Sequence, residues 1–229
     1  MYSMDDLKEN RDAQITVACI AFFLIAFPTY FSIAADRADG SLGGGVGDYQ
    51  VNGEITYVTL DSGAEYVADG TPWSETFSTD ALDGAEDLNI VGVRVTLSYG
   101  EDEPNGGFGC TFTGNAADTI SGMTSHGEVS ASADGQNNGG SGSHEVTVEW
   151  FNSSLVGAVV KGLSASEITS QIDSMGAGLG QYDLEISVDA NAGNSPTCNK
   201  DDNGEDVSYT IELMVFDYTI VPYIEIQEE

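Results

Sequence analysis

The chain has 229 residues, and 38 Asp and Glu against 6 Lys and Arg give a formal net charge of −32. A surface this acidic repels phosphate, which excludes nucleic acid as a partner and excludes docking of the globular part onto anionic headgroups. Hydrophobic residues at 41% exclude a disordered acidic tail, and 28 glycines, about 12% against a usual ~7%, favour a loop-rich fold over a helical one.

Residues 1–12 form a short charged tail with Lys8 and Arg11. From Ala13 to Ala35 there is no charge, and Ile15, Val17, Ile20, Phe22, Phe23, Leu24, Ile25, Phe27 and Ile33 fill the stretch. As a helix at ~1.5 Å per residue it spans about 34 Å, enough for a ~30 Å hydrocarbon core. Pro28 is tolerated in such a span, and Tyr30 suits an interfacial anchor. The segment predicts a transmembrane helix that contacts the lipid bilayer as an uncleaved signal anchor. A signal peptide cleaved near Ser32-Ile33-Ala34 is the alternative, and the length of the apolar run favours the anchor. Lys8 and Arg11 place the N-terminus in the cytoplasm.

Four of the acidic and two of the basic residues precede Ala13, so residues 36–229 carry 34 against 4, a net −30. Self-repulsion of that size is tolerated where salt screens it, which points to a marine or halophilic cell surface. Residues 36–47, DRADGSLGGGVG, read as a flexible linker of roughly 20 Å mean span.

Residues 48–229 are predicted as one extracytoplasmic domain. Period-two alternation marks strands at Tyr49–Leu60, Glu65–Ala68, Trp73–Ser78, Leu88–Tyr99, Gly109–Thr113, Gly127–Ala133, Glu145–Phe151, Tyr182–Asp189 and Val207–Val221. In the last run Val207, Tyr209, Ile211, Leu213 and Val215 line one face until Phe216 and Tyr218 blur the register. Ser164-Ala165-Ser166-Glu167 matches a capping box, with Ile168, Ile172 and Met175 on one helical face and Gly176 as the stop. This pattern predicts a mainly β fold: an antiparallel β-sandwich, Ig-like or jelly-roll, with one short helix.

Cys19 lies in the apolar span. Cys110 and Cys198 both lie outside it, and such a pair beyond the cytoplasm predicts a disulfide staple worth roughly 4 kcal/mol by loop entropy. The run Asn199-Lys200-Asp201-Asp202-Asn203-Gly204-Glu205-Asp206 resembles the first half of a calcium loop. Asn199, Asp201 and Asn203 would supply oxygens and Gly204 the turn, with Thr210 where a bidentate Glu belongs. A solvated acidic turn is the plainer reading. His126 and His144 have no metal-ligand spacing, and Gly140-Ser141-Gly142 lacks the context of a hydrolase nucleophile, so no catalysis and no resident cofactor are predicted. Asn152-Ser153-Ser154 is an N-glycosylation sequon.

The short charged N-terminus, the apolar helix and the β-rich head, with Arg11-Asp12-Ala13-Gln14-Ile15-Thr16-Val17 at the junction, resemble archaeal type IV pilin-like proteins. That superfamily includes pilins, archaellins and membrane-anchored archaellum accessory proteins. The resemblance implies either self-association into a filament through the apolar helix or an anchored sandwich touching surface-layer or other envelope proteins. The functional expectation is a membrane-anchored cell-surface protein with a structural or binding β-sandwich. A filament subunit and a calcium-dependent adhesion module are the alternatives.

Overall fold

The computed structural model describes residues 14–15, 19–20, 22–27, 45–100, 117–137, 140–191 and 202–224. In the described domain two antiparallel sheets face each other. The first has the order β6-β3-β9-β1-β7, and the second β2-β8-β4-β5. The strands are β1 Gly47–Ala68, β2 Trp73–Ser78, β3 Ile90–Gly100, β4 Thr119–His126, β5 Val129–Gln136, β6 Ser141–Glu149, β7 Val159–Leu163, β8 Gln181–Asp189 and β9 Gly204–Pro222, with one helix, α1, at Ala165–Ile172. The mainly β sandwich with one short helix expected from the sequence is present.

β1 and β9 run antiparallel over the whole length of the first sheet, from Tyr49 opposite Pro222 to Ala68 opposite Gly204. They define two ends of the molecule. At the base, the chain enters at Gly47 and β9 finishes. At the far tip lie the ends of β1, β3, β5 and β8 and the starts of β2, β4, β6 and β9. A 22-residue strand measures about 70 Å along its contour at ~3.3 Å per residue.

Two cores sit on opposite faces of β9. Val207, Tyr209, Ile211, Leu213 and Val215 face the second sheet and pack with Tyr182, Leu184, Ile186 and Ile120. Met214 and Phe216 face the other way, onto Ile168 and Ile172 of α1 together with Tyr49, Val51, Val91 and Val160. The register blurred at Phe216 in the sequence because the strand there is buried on both sides. In β1 the two predicted runs are one strand. The register shifts between Thr59 and Asp61, so Leu60, the last residue of the first predicted run, bulges, and residues 61–64 continue the strand where a break was expected.

The capping box is present as predicted: Ser164 Oγ accepts from the Glu167 N–H, and the Glu167 carboxylate accepts from the Ser164 N–H at 2.8 Å. The helix stops earlier than its pattern implied. Met175 is not on the helical face but beyond it, exposed and at φ 49. Two strands escaped the alternation pattern. β4 (TISGMTSH) turns only Ile120, Gly122 and Thr124 inward, and β7 is a five-residue edge strand. The predicted run Gly109–Thr113 lies outside the described residues.

The described parts of 13–35 are helical, and Phe22, Leu24 and Ile25 are 65–70% exposed. Among the described residues no helix is long and apolar enough to cross a membrane.

Candidate functional site

At the tip, four chain segments meet at the mouth of the gap between the sheets. Asp118 precedes β4, Asn137 follows β5, Asn191 follows β8, and Asp202 and Glu205 lie at the start of β9. Glu205 points inward because it shares the parity of Val207 and Tyr209, and Asp118 and Glu205 are each 1% exposed or less. Asn137 bridges them, its amide donating to Asp118 Oδ2 and, at 3.2 Å, to Glu205 Oε1. The Asn191 backbone N–H donates to Asp118 Oδ1 at 2.7 Å, and the Asn137 side-chain oxygen accepts from the Asp118 N–H at 3.1 Å.

One oxygen from each of Asp118, Asp202 and Glu205 lies within 4.8 Å of the other two. Charges at that spacing repel by roughly 3–4 kcal/mol per pair at an effective dielectric of 20. Carboxyl groups held so close need a shared proton or a cation. Burial pushes the Asp118 carboxyl up. The Asn191 N–H, followed by the Glu205, Asn137 and Asp202 side chains, outweighs that and holds it below the usual range. The donors are hard oxygens, and their spacing matches ligands placed 2.3–2.6 Å from a common calcium ion.

The predicted ligands fare differently. Asn199 and Asp201 lie outside the described residues. Asn203 is exposed, and its backbone carbonyl accepts from the Asp69 N–H at 2.8 Å. Its neighbours Asp202 and Glu205 make up the carboxylate group instead, with Asp118 from a loop that the linear spacing could not connect to them. Cys110 and Cys198 also lie outside the described residues. Asn152 sits in the turn before the 3-10 helix Ser153–Leu155, its amide donating to Gln171 Oε1 at 3.0 Å while its oxygen accepts from Ser154 Oγ at 2.6 Å.

The two histidines are far apart in role. At the end of the second sheet away from the tip, His126 stacks on Tyr182 with ring centroids 4.3 Å apart, and its ring nitrogens face the carbonyls of Gln181 and Ala177. Near the tip, His144 points into the sandwich and its Nδ1 meets the Tyr99 hydroxyl at 3.1 Å. Burial holds the His144 pKa below the ordinary value of 6.5, against the pull of the Ala133 backbone and Asp134. The unfolded chain therefore takes up this proton first as the pH falls. Stability from His144 is full above about pH 6.5 and declines below it as the pH moves toward the depressed folded value. The melting temperature of the wild type should fall more between pH 7.5 and 5 than that of His144→Gln.

The open outer face of the second sheet presents Ser74, Thr76, Met123, Ser125, Asp183 and Glu185, a shallow groove with no aromatic platform among these residues.

No family model and no curated protein matches the chain. Among solved structures, it is similar at 11% identity and TM-score 0.27 to the carbohydrate-binding module TmCBM61 in complex with β-1,4-galactotriose, over 76% of this chain and 88% of that one. It is similar at 10% identity and TM-score 0.25 to a chain of the mud crab tombus-like virus, over 73% of this chain and 92% of that one. Both TM-scores are too low to transfer anything from those proteins to this chain.

Proposed function

We propose that the chain is a single-pass, membrane-anchored cell-surface protein whose β-sandwich presents its tip to another envelope component and carries out no catalysis. The observation that carries this reading is the placement of the two ends. The uncharged stretch 13–35, with its described residues helical and exposed, precedes Gly47 at the base in the sequence, while the paired Ala68 and Gly204 at the tip lie a full strand length away. The net −30 of residues 36–229 suits a marine or halophilic exterior, where salt screens it. Cell fractionation with external protease tests the topology. The protein should sediment with membranes and lose its domain to protease added outside; recovery in the soluble fraction overturns the reading. A pilin-like filament subunit shares this topology, and an intact Met1 in the mature protein counts against it.

A second reading, a calcium-dependent adhesion module, is favoured by the convergence of Asp118, Asp202 and Glu205. A site saturated a hundredfold adds about 2.7 kcal/mol, which for a domain of this size raises the melting temperature by roughly 5–10 °C. Millimolar calcium should produce that rise in the wild type and not in Asp118→Asn. A wild type indifferent to calcium removes this reading.

A further inference from the structure

We propose that the open edge of β1 accepts an extended, basic segment of a partner protein as an added strand. β1 is an edge strand over most of its length. β7 pairs only with Gly47–Gln50, and the Val51 N–H still reaches the Ala158 carbonyl at 3.0 Å. Beyond that bond β1 has β9 on one side and, among the described residues, no strand on the other. The direction of the backbone groups follows from parity. Val51 turns its N–H away from β9, so Gly53, Ile55, Tyr57 and Thr59 turn theirs, and their carbonyls, to the open side. Glu54, Thr56 and Val58 between them face β9.

The open stretch is bounded at both ends. One end is the Ala158 contact. The other is the bulge at Leu60, after which Asp61 turns its backbone toward β9 and the outward N–H of Ser62 donates to Asp61 Oδ1 at 2.6 Å. Residues 53–59 lie between, and the β-branched and aromatic side chains from Ile55 to Thr59 favour extended backbone. Sheets ordinarily blunt such an edge with lysine or proline; residues 53–59 contain neither, and Glu54 is their one charge. A strand laid here gains main-chain hydrogen bonds at alternate residues, the mode by which sheet edges take up extended peptides.

Charge selects the partner. Past the bulge, Asp61 and Glu65 on β1 and Glu75 on β2, an edge strand of the second sheet, are exposed. All three act on the Tyr209 hydroxyl, which burial first and these carboxylates next hold above its ordinary value. Negative charge therefore gathers where a guest strand leaves the open stretch. The Arg94 guanidinium, 3.6 Å over the Tyr57 ring, is already bonded to Glu212 at 2.7 Å and does not offset it. A second copy of this chain is a poor guest, because it brings the same carboxylates and a 22-residue β1 that outruns a short stretch closed by β7. A short segment bearing Lys or Arg fits both limits. This site lies on the side of the sandwich, apart from the carboxylates at the tip, and does not depend on the anchored reading.

The test uses full-length protein in nanodiscs and an acetylated, amidated heptapeptide that alternates Lys or Thr with Val. A second peptide carries Glu in place of Lys. With the Lys peptide, residue-resolved amide exchange should slow about tenfold or more at Ile55, Tyr57 and Thr59 and stay unchanged at Thr56 and Val58, which already face β9. The Glu peptide should leave these amides unchanged. Thr59→Pro removes one outward donor at an edge position, where proline is tolerated, so it should melt close to the wild type and lose the protection at Ile55 and Tyr57. No slowing, uniform slowing across residues 53–59, equal protection by the Glu peptide, or protection that survives Thr59→Pro each overturns the proposal. So does slowing that grows with protein concentration without peptide, which identifies a second copy as the occupant. The two peptides on the wild type decide the question even where the proline variant fails to fold.

Discussion

Phe216→Ala should lower the melting temperature by roughly 6–20 °C. Phe216 is fully buried in the smaller core, with the Phe151 ring at 5.7 Å and the Tyr218 ring at 5.5 Å. Removing a buried phenylalanine costs about 3–5 kcal/mol, part of it for the cavity left behind. In a domain of this size each kcal/mol shifts the midpoint by ~2–4 °C. The loss is local in origin, because α1 meets the sheet mainly through Phe216 and its neighbours. Amide exchange should therefore rise first at Ala165–Ile172 and Val159–Leu163, while the strands of the second sheet keep their protection. Uniform loss of protection across both sheets would show that the two cores are one cooperative unit.

Gly204→Ala should cost several degrees and also abolish any calcium response, although it alters no oxygen ligand. Gly204 has φ 141, a conformation that side chains rarely adopt, and a Cβ there would meet the Val67 carbonyl and, at 2.7 Å, the Ala68 Cα. Those are backbone atoms and cannot rotate away. Strain of about 1–3 kcal/mol is relieved only by unpairing the start of β9 from the end of β1. That movement carries Asp202 and Glu205 away from Asp118. If the variant melts like the wild type and keeps its calcium shift, the start of β9 does not position the carboxylate group.

What the sequence revealed follows from which interactions are local. The capping box at Ser164 is a four-residue device and was legible to the residue. The alternation from Val207 to Val215 was legible because one partner sheet covers one face. Phe216 and Tyr218 defeated the same rule because a second layer covers the opposite face there, a tertiary fact that periodicity does not carry. Gly63 fell in the gap between two predicted runs, yet it lies under the Tyr209 ring inside β1, where the absence of a side chain makes room for the aromatic across the strand pair. The candidate site was half legible. The acidic run around Asp202 stood out, but Asp118 and Asn137 reach it only through the pairing of β4, β5 and β9 across two sheets. Their separations in sequence, 19 residues between Asp118 and Asn137 and 68 between Asn137 and Glu205, follow no local rule.

The long pairing of β1 with β9, interrupted only by the bulge at Leu60, also bears on how the head answers a pull. A load applied at the tip and resisted at Gly47 runs along the axis of β1. The ladder from Tyr49–Pro222 to Ala68–Gly204 is then sheared, with its bonds sharing the force at once instead of opening one after another. Under the proposed anchoring, the start of the longest strand would carry the tether and the domain would work as a tension member.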